Sequence, residues 1–110
     1  MADDAVRELT DADFDELVNE RAGPVLVQFG AAWCAPCRMQ RPVLEQCAAT
    51  MTGTLAVAAV DVDVSPRLRE RFAIRSVPML VLFNQGKQAD SWLGFRSREE
   101  LQTILAAYVS

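Results

Sequence analysis

Residues 25–37 read Val-Leu-Val-Gln-Phe-Gly-Ala-Ala-Trp-Cys-Ala-Pro-Cys, a short apolar run followed closely by two cysteines. The run at 25–29 is mostly apolar, as expected of a strand that is buried on both faces. After the cysteines a helical pattern continues to about Thr50. Pro42 lies inside that pattern, where it removes a backbone donor and predicts a kink. Cys34 and Cys37 therefore stand where a buried strand passes into a helix.

On both sides of this segment, strands alternate with helices. Strands are predicted over residues 6–9, 55–62, 79–83 and 88–93, and a turn at 84–87 joins the last two. Helices are predicted over roughly 11–20 with Thr10 as the cap, from Ser65-Pro66 to about Phe72, and after a Ser97–Glu100 capping box. The order predicts an α/β fold in which a central mixed β-sheet of about five strands is flanked by about four helices.

The interior is predicted from the apolar residues on the inward faces of these elements. The expected core residues are Leu9, Phe14, Leu26, Phe29, Val57, Val60, Leu80, Leu82, Leu101 and Leu105, with Ile104 and Tyr108 on the inner face of the last helix. The chain has 110 residues and shows no repeat, low-complexity tract or long linker. It is therefore predicted to form a single domain over residues 1–110.

Composition excludes several classes of function. The chain is 51% apolar and 24% charged, which argues against disorder. Its apolar runs are too short to span a bilayer, and a net charge of −4 disfavours nucleic acid as a partner. The chain has no histidine, so a His-based triad and a His-ligated zinc site are both excluded.

The N-terminal residues and the cysteine count predict a cellular compartment. Residues 1–8 are acidic and lack the apolar core of a secretory signal, which predicts a cytoplasmic protein. Three cysteines are too few for a secreted disulfide scaffold. In the cytoplasm stray thiols stay reduced, so a CxxC pair is more typical of catalysis or metal binding than of a structural staple.

The chemistry is predicted at Cys34 and Cys37. Cysteines three apart in a first helical turn can reach the Cα separation of about 4.4–6.8 Å that a disulfide needs. The N–H groups and partial positive charge at a helix start favour a thiolate. Cys34 should be the exposed, low-pKa nucleophile, and Cys37 the less exposed thiol that resolves the mixed disulfide. Pro36 stiffens the turn between them and lacks an N–H that would have no partner there.

The alternative is half of a zinc site or two incidental thiols. A mononuclear zinc site needs two further ligands, and without histidine only Cys47 and carboxylates are left to supply them. Cys47 is itself predicted to be a small buried residue, since it follows Leu44 on the apolar face of the helix. The local context favours the redox interpretation, with no metal and no bound cofactor required.

The sequence resembles the thioredoxin family over nearly its whole length. Residues 33–37 (Trp-Cys-Ala-Pro-Cys) resemble the family's Trp-Cys-Gly-Pro-Cys, with Ala35 in place of glycine, and Pro42 falls where the family kinks its second helix. The stretch 74–78 resembles the one that ends in the family's cis-proline. Gly86 matches the hairpin glycine, and Gly94 the glycine beside the substrate groove. The resemblance implies a thioredoxin fold and a disulfide oxidoreductase that supports electron transport and cell redox homeostasis.

The resemblance also implies which residues meet the substrate. Val77 would offer its backbone to an extended peptide, and Pro78 would be cis, although X-Pro bonds are usually trans in folded proteins. Trp33 is expected to form a wall of the groove, whereas Trp92 in the hairpin is expected to pack. The predicted substrate-binding residues are Trp33, Ala35, Pro36, Val77, Pro78 and Gly94.

Two departures alter the position of proton transfer. The family usually places a buried Asp where this chain has Gln28, and often a Lys where it has Ala59. That Asp is thought to assist deprotonation of the resolving cysteine, and an amide cannot accept a proton. The absence of both the Asp and the Lys is physically consistent, because either charge alone would be costly to bury without its partner. We hypothesise that a water or the departing thiolate serves instead and that resolution by Cys37 is slower; otherwise Gln28 is only a hydrogen-bonded core amide.

Two further departures touch the substrate face. Gly30 replaces an aromatic residue, usually Trp, and Met79 replaces the usual Thr after the cis-proline. Because both residues are on the expected substrate face, the sequence does not determine which proteins the chain binds, including whether a thioredoxin reductase recognises it. Arginines 67, 69, 71 and 75 are predicted to be a solvated surface rather than a binding patch.

The leading interpretation is a monomeric thioredoxin-type reductase of protein disulfides, re-reduced by a thioredoxin reductase. The same chemistry also permits a disulfide isomerase or oxidant, because Ala35-Pro36 does not set the reduction potential alone. A third interpretation is a binding or holdase module with weak turnover. A form in which two chains share an iron–sulfur cluster would be revealed by colour.

Overall fold

The structure is a computed structural model that describes residues 5–109. Residues 1–4, the first half of the acidic stretch used to predict the compartment, lie outside the described residues. The elements follow the predicted order. The strands are β1 (Val6–Leu9), β2 (Pro24–Gly30), β3 (Ala56–Asp61), β4 (Met79–Asn84) and β5 (Lys87–Leu93). The helices are α1 (Phe14–Glu20), α2 (Ala35–Thr50), α3 (Pro66–Arg71) and α4 (Arg98–Leu105).

The five strands form one mixed sheet in the order β1-β3-β2-β4-β5. β3 runs parallel to both β1 and β2, while β4 is antiparallel to β2 and β5. β2 is central, and all seven of its residues are buried. This explains why its sequence is a nearly continuous apolar run rather than an alternating one. None of the helices in the described part of the chain is long and apolar enough to cross a membrane.

Each face of the sheet carries its own apolar cluster. Phe14, Phe29 and Phe83 belong to the first cluster. The ring centroid of Phe14 lies 6.3 Å from that of Phe29 and 5.5 Å from that of Phe83. Leu26, Leu44, Leu80, Leu101 and Leu105 belong to the other, on the α2 and α4 side. All ten predicted core residues are buried. Odd-numbered residues of β2 face the first cluster and even-numbered residues the second, as strand alternation requires.

One predicted helix start and one predicted capping side chain need correction, and the first is the start of α1. Thr10 was expected to cap a helix from residue 11, but α1 begins at Phe14. Thr10 instead organises a turn. Its Oγ1 accepts the Ala12 N–H at 3.3 Å, and its own N–H donates to Asp13 Oδ1 at 2.7 Å. These local side-chain bonds compete with the helical pattern and delay the helix by about one turn.

The second correction concerns α3. Ser65 occupies the N-cap position, but its side chain makes no capping bond, and its buried Oγ has no partner among the described residues. Asp11 caps the helix instead. Its two carboxylate oxygens accept the N–H groups of Arg67 at 3.1 Å and Leu68 at 2.9 Å. A carboxylate is the stronger acceptor at a helix start because it also complements the helix dipole.

The remaining predicted turns and caps are confirmed. Gln85 and Gly86 have φ of 53° and 80° and join β4 to β5, and glycine is the residue that adopts such values without strain. The capping box of Ser97 and Glu100 is present. Its hydrogen bonds from Ser97 hold the pKa of Glu100 below the ordinary value. The capping box therefore adds stability at neutral pH that is lost as acid protonates Glu100.

We expect the cap of α3 to be detectable by substitution. Asp11→Ala should lower the free energy of unfolding by about 1–2 kcal/mol, since two N–H groups lose their acceptor. Ser65→Ala should leave that free energy unchanged or raise it, because the buried hydroxyl has no partner. Urea unfolding of both variants tests this assignment. A larger loss in Ser65→Ala than in Asp11→Ala would contradict it.

Candidate active site

The two cysteines are joined by a disulfide bond at the start of α2. Cys34 is the N-cap, and Cys37 is in the first turn, with a Cα–Cα distance of 5.3 Å. The Cys37 N–H donates to Cys34 Sγ at 3.2 Å. Pro36 occupies the first turn of the helix, as predicted from its missing donor. When the pair is reduced, the same N–H and the helix dipole favour negative charge on Cys34.

The predicted difference in exposure between the two cysteines is wrong for this disulfide state. Cys34 is 3% exposed and Cys37 is 5% exposed. Both sulfurs belong to the apolar cluster on the first face of the sheet, against which Val77 and Met79 also pack. Cys34 Sγ is directed toward the helix start, where it accepts the Cys37 N–H, rather than toward solvent.

The loop before the disulfide is held by polar contacts. Trp33 is 68% exposed, and its indole Nε1–H donates to Asp63 Oδ2 at 2.9 Å. The Arg38 guanidinium donates to the Ala32 carbonyl at 2.7 Å. Ala35 and Pro36 are both exposed. The residues on either side of Cys34 therefore form an accessible rim around a buried disulfide.

The second part of the predicted groove lies where the chain enters β4 and where it leaves β5. The Val77–Pro78 peptide bond is cis, as the resemblance implied. β4 begins at Met79, which pairs with Phe29 near the end of β2. The Gly94 N–H donates to the Pro78 carbonyl at 2.8 Å. The fold thus brings Pro78 and Gly94 together beside the end of the strand that leads to the cysteines.

Sequence reasoning missed two apolar side chains and one polar one near this groove. Leu93 and Phe95 flank Gly94 and are 54% and 40% exposed. The sequence of β5 could have indicated Leu93. Trp92 packs inward, and because successive residues of a strand point to opposite faces, the apolar Leu93 next to it points outward. Gln40 is fully buried in α2. Its Nε2–H donates to the Arg96 carbonyl at 2.9 Å, and its Oε1 accepts the Arg96 N–H at 2.7 Å.

The position that departs from the family pattern lies behind Cys37. Gln28 is 5% exposed, and its Oε1 accepts no hydrogen bond from the residues that the structure describes. The alternative that Gln28 is only a hydrogen-bonded core amide therefore does not hold for its oxygen. Gly30 allows a close approach, since a Cβ there would lie 3.0 Å from Cys37 Sγ. Ala59 pairs with Gln28 across the sheet.

The other predicted residues lie apart from this chemistry. Cys47 is buried in the second apolar cluster, where desolvation raises its pKa, partly offset by the charge of Arg98. The four arginines of the predicted solvated surface are exposed, and two of them pair with carboxylates, Arg69 with Asp63 at 3.6 Å and Arg71 with Asp15 at 2.8 Å. Within residues 5–109 no three cysteine, aspartate or glutamate side chains are grouped so as to hold a metal ion.

Comparison with known proteins gives one consistent result. The family model described as Thioredoxin matches residues 5–107. A thioredoxin from Alicyclobacillus acidocaldarius is 41% identical over 102 residues, which is 93% of this chain and 96% of that protein. One from Staphylococcus aureus is 40% identical over 101 residues, 92% of this chain and 95% of that protein. A solved mutant thioredoxin from Halobacterium salinarum superposes with a TM-score of 0.89 at 31% identity, covering 100% of this chain and 96% of its own.

We expect Gln40 to hold the 94–97 turn against the active-site helix. Gln40→Met should lower the free energy of unfolding by about 2 kcal/mol, because the Arg96 N–H and carbonyl lose their partners. Hydrogen exchange at the Arg96 amide should accelerate as well. Gln46→Met, an exposed change on the same helix, is the matched control. Equal effects of the two changes in urea unfolding would show that Gln40 has no such role.

Proposed function

This chain belongs to the thioredoxin family, and we propose that Cys34 is the nucleophile and Cys37 the resolving thiol with which it reduces protein disulfides. It is a thiol–disulfide oxidoreductase. The observation that supports these roles is the position of the disulfide. Cys34 caps α2, and the Cys37 N–H points at its sulfur. A thiolate formed on Cys34 is therefore stabilised where it forms, which makes it the better nucleophile.

The reaction proceeds by two exchanges. The Cys34 thiolate attacks one sulfur of a substrate disulfide, forms a mixed disulfide and releases the other sulfur as a thiolate. Cys37 loses its proton and attacks Cys34 Sγ, so that the Cys34–substrate bond breaks and the second substrate thiolate leaves. Two electrons pass from the cysteine pair to the substrate, and the chain is left as the disulfide.

We propose that substrates bind along the rim made by Trp33, Ala35 and Pro36 and by the cis-proline segment opposite. Val77 would pair its backbone with an extended substrate chain, while Pro78 and Gly94 shape the floor of the groove. The bond between the Gly94 N–H and the Pro78 carbonyl supports this arrangement, because it keeps the two segments at a constant separation. Exposed Leu93 and Phe95 would add apolar contact on that side.

The proposed partners follow from the family. Its members usually act on disulfide-containing proteins and are re-reduced by a thioredoxin reductase. We propose that this chain works in the same way, as a monomeric single domain in the cytoplasm. Thiol exchange with a low-potential reductase is sustained in a compartment where glutathione and similar systems keep thiols reduced.

The reduction potential of the cysteine pair tests the direction of the reaction. We expect a two-electron transition near about −270 mV when the protein is equilibrated with dithiothreitol buffers and read by tryptophan fluorescence. Cys34→Ser should abolish turnover, whereas Cys37→Ser should trap a mixed disulfide with substrate. A potential near about −180 or −120 mV would indicate an isomerase or an oxidant. The absence of any two-electron transition would leave only a binding module.

The hypothesis for position 28 generates a second prediction. Gln28→Asp restores a buried carboxylate, so resolution by Cys37 should accelerate by up to about a hundredfold and follow the titration of the new group. Single-turnover kinetics across pH measures this rate, and Gln46→Asp on the exposed face of α2 controls for added charge. Unchanged turnover and an unchanged pH profile in Gln28→Asp would refute the hypothesis.

A further inference from the structure

A cavity of about 220 Å³ lies behind Cys37, between α2 and the sheet. Its walls include Cys37 and Arg41 of α2, Gln28 of β2, Ala59 of β3 and Glu8 of β1. The strand register explains why it exists. Glu8 pairs with Ala59, and Ala59 pairs with Gln28, so these three side chains lie in one row under α2. The small Ala59 side chain in the middle of the row leaves the space.

The inner end of the cavity is polar. Gln28 is only 5% exposed, and its buried Oε1 has no hydrogen-bond partner among the described residues. Gln28 Nε2 and Cys37 Sγ both lie within 3.5 Å of the point where a Cβ at position 30 would stand. The Gln28 amide group and the resolving sulfur therefore border the same small volume. A buried acceptor of this kind is stabilised by water when the space admits it, and this cavity has room for several molecules.

The outer end reaches solvent beside an ion pair. The Glu8 carboxylate contacts Arg41 Nη1 at 2.6 Å, and the Glu8 side chain is 64% exposed. Arg38 and Asp61 are the other charged residues that line the cavity. The chain has no histidine that could act as a base in this cavity.

We propose that this cavity is the path by which Cys37 loses its proton, with Gln28 as the positioning residue that holds the first water. The inference rests on the proposed roles of Cys34 and Cys37. In the resolving step the Cys37 proton passes to the water bound at Gln28 Oε1 and is relayed through the cavity to solvent. The electron pair left on sulfur forms the bond to Cys34 Sγ, and the substrate thiolate leaves with the pair of the broken bond.

The path accounts for two departures from the family pattern together. Without a carboxylate at position 28 there is no internal base, and without a long side chain at position 59 there is nothing to close the space. An amide oxygen cannot take the proton, but it can orient a water that does. The route differs from proton uptake by the departing thiolate because it depends on residues that never contact the substrate.

The test uses the full chain and an aryl disulfide whose thiolate is coloured. The first thiolate is released when Cys34 attacks, and the second when Cys37 resolves the mixed disulfide, so stopped-flow absorbance separates the two steps. An aryl thiolate is a weak base, which removes the departing group as a proton acceptor. Gln28→Met removes the amide oxygen at similar length, Ala59→Leu fills the cavity, and Gln46→Met is the exposed control.

We expect the second phase to slow by roughly tenfold in Gln28→Met and Ala59→Leu, with its pH profile displaced to higher pH. The first phase and the Gln46→Met control should be unchanged. The second phase of the unaltered chain should also slow in deuterium oxide, and this isotope effect should increase in Gln28→Met. A change of packing alone would not produce that pattern.

Two results would overturn the inference. An unchanged second phase in both cavity variants would show that the proton leaves by another route. Equal slowing of both phases would show that Gln28 and Ala59 act only on the shape of the active site. Failure of the proposed function is distinguishable, because the first phase would then be missing from the unaltered chain or would persist in Cys34→Ser.

Discussion

The Cys37 N–H donates to Cys34 Sγ, and this contact depends on α2 beginning where β2 ends. A helix start is the place in a protein where unpaired N–H groups and a favourable dipole are available to a thiolate. β2 can deliver the chain there because it is buried on both faces at the centre of the sheet. The large apolar clusters on either side hold that strand, and with it the reactive pair, in one position.

The proposed substrate groove depends on a different set of backbone contacts. Met79 pairs with Phe29, and the Gly94 N–H donates to the Pro78 carbonyl, so two segments distant in sequence meet beside the disulfide. Gln40 links the active-site helix to the same region through two bonds to Arg96. Small residues at positions 30 and 59 both line the polar cavity beside Cys37, and Gly30 also allows the Cys37 sulfur to lie close to the end of β2. The surroundings of Cys37 thus differ from those of Cys34, although the two sulfurs are adjacent.

Sequence reasoning worked where the information is local. The order of strands and helices along the chain, the core residues and the Ser97–Glu100 capping box follow from periodicity and spacing over a few residues, and the structure confirms each. It failed at α3, because the cap comes from Asp11, more than fifty residues earlier in the chain. It also failed for the exposure of Cys34, because the direction of that sulfur is set by its bond to Cys37 and by the packing around it.

By itself the sequence determined that a CxxC pair follows a buried strand and opens a helix, and this is sufficient to predict dithiol chemistry. The net negative charge disfavours a nucleic-acid partner, the absence of histidine excludes a His-ligated zinc site, and the family resemblance indicates disulfide exchange. Only the tertiary structure decided what lies behind Cys37. The row of Glu8, Ala59 and Gln28 is assembled from three strands, and its register comes from sheet pairing. A cavity is a property of volumes that distant residues leave unfilled, so spacing along one chain does not encode it.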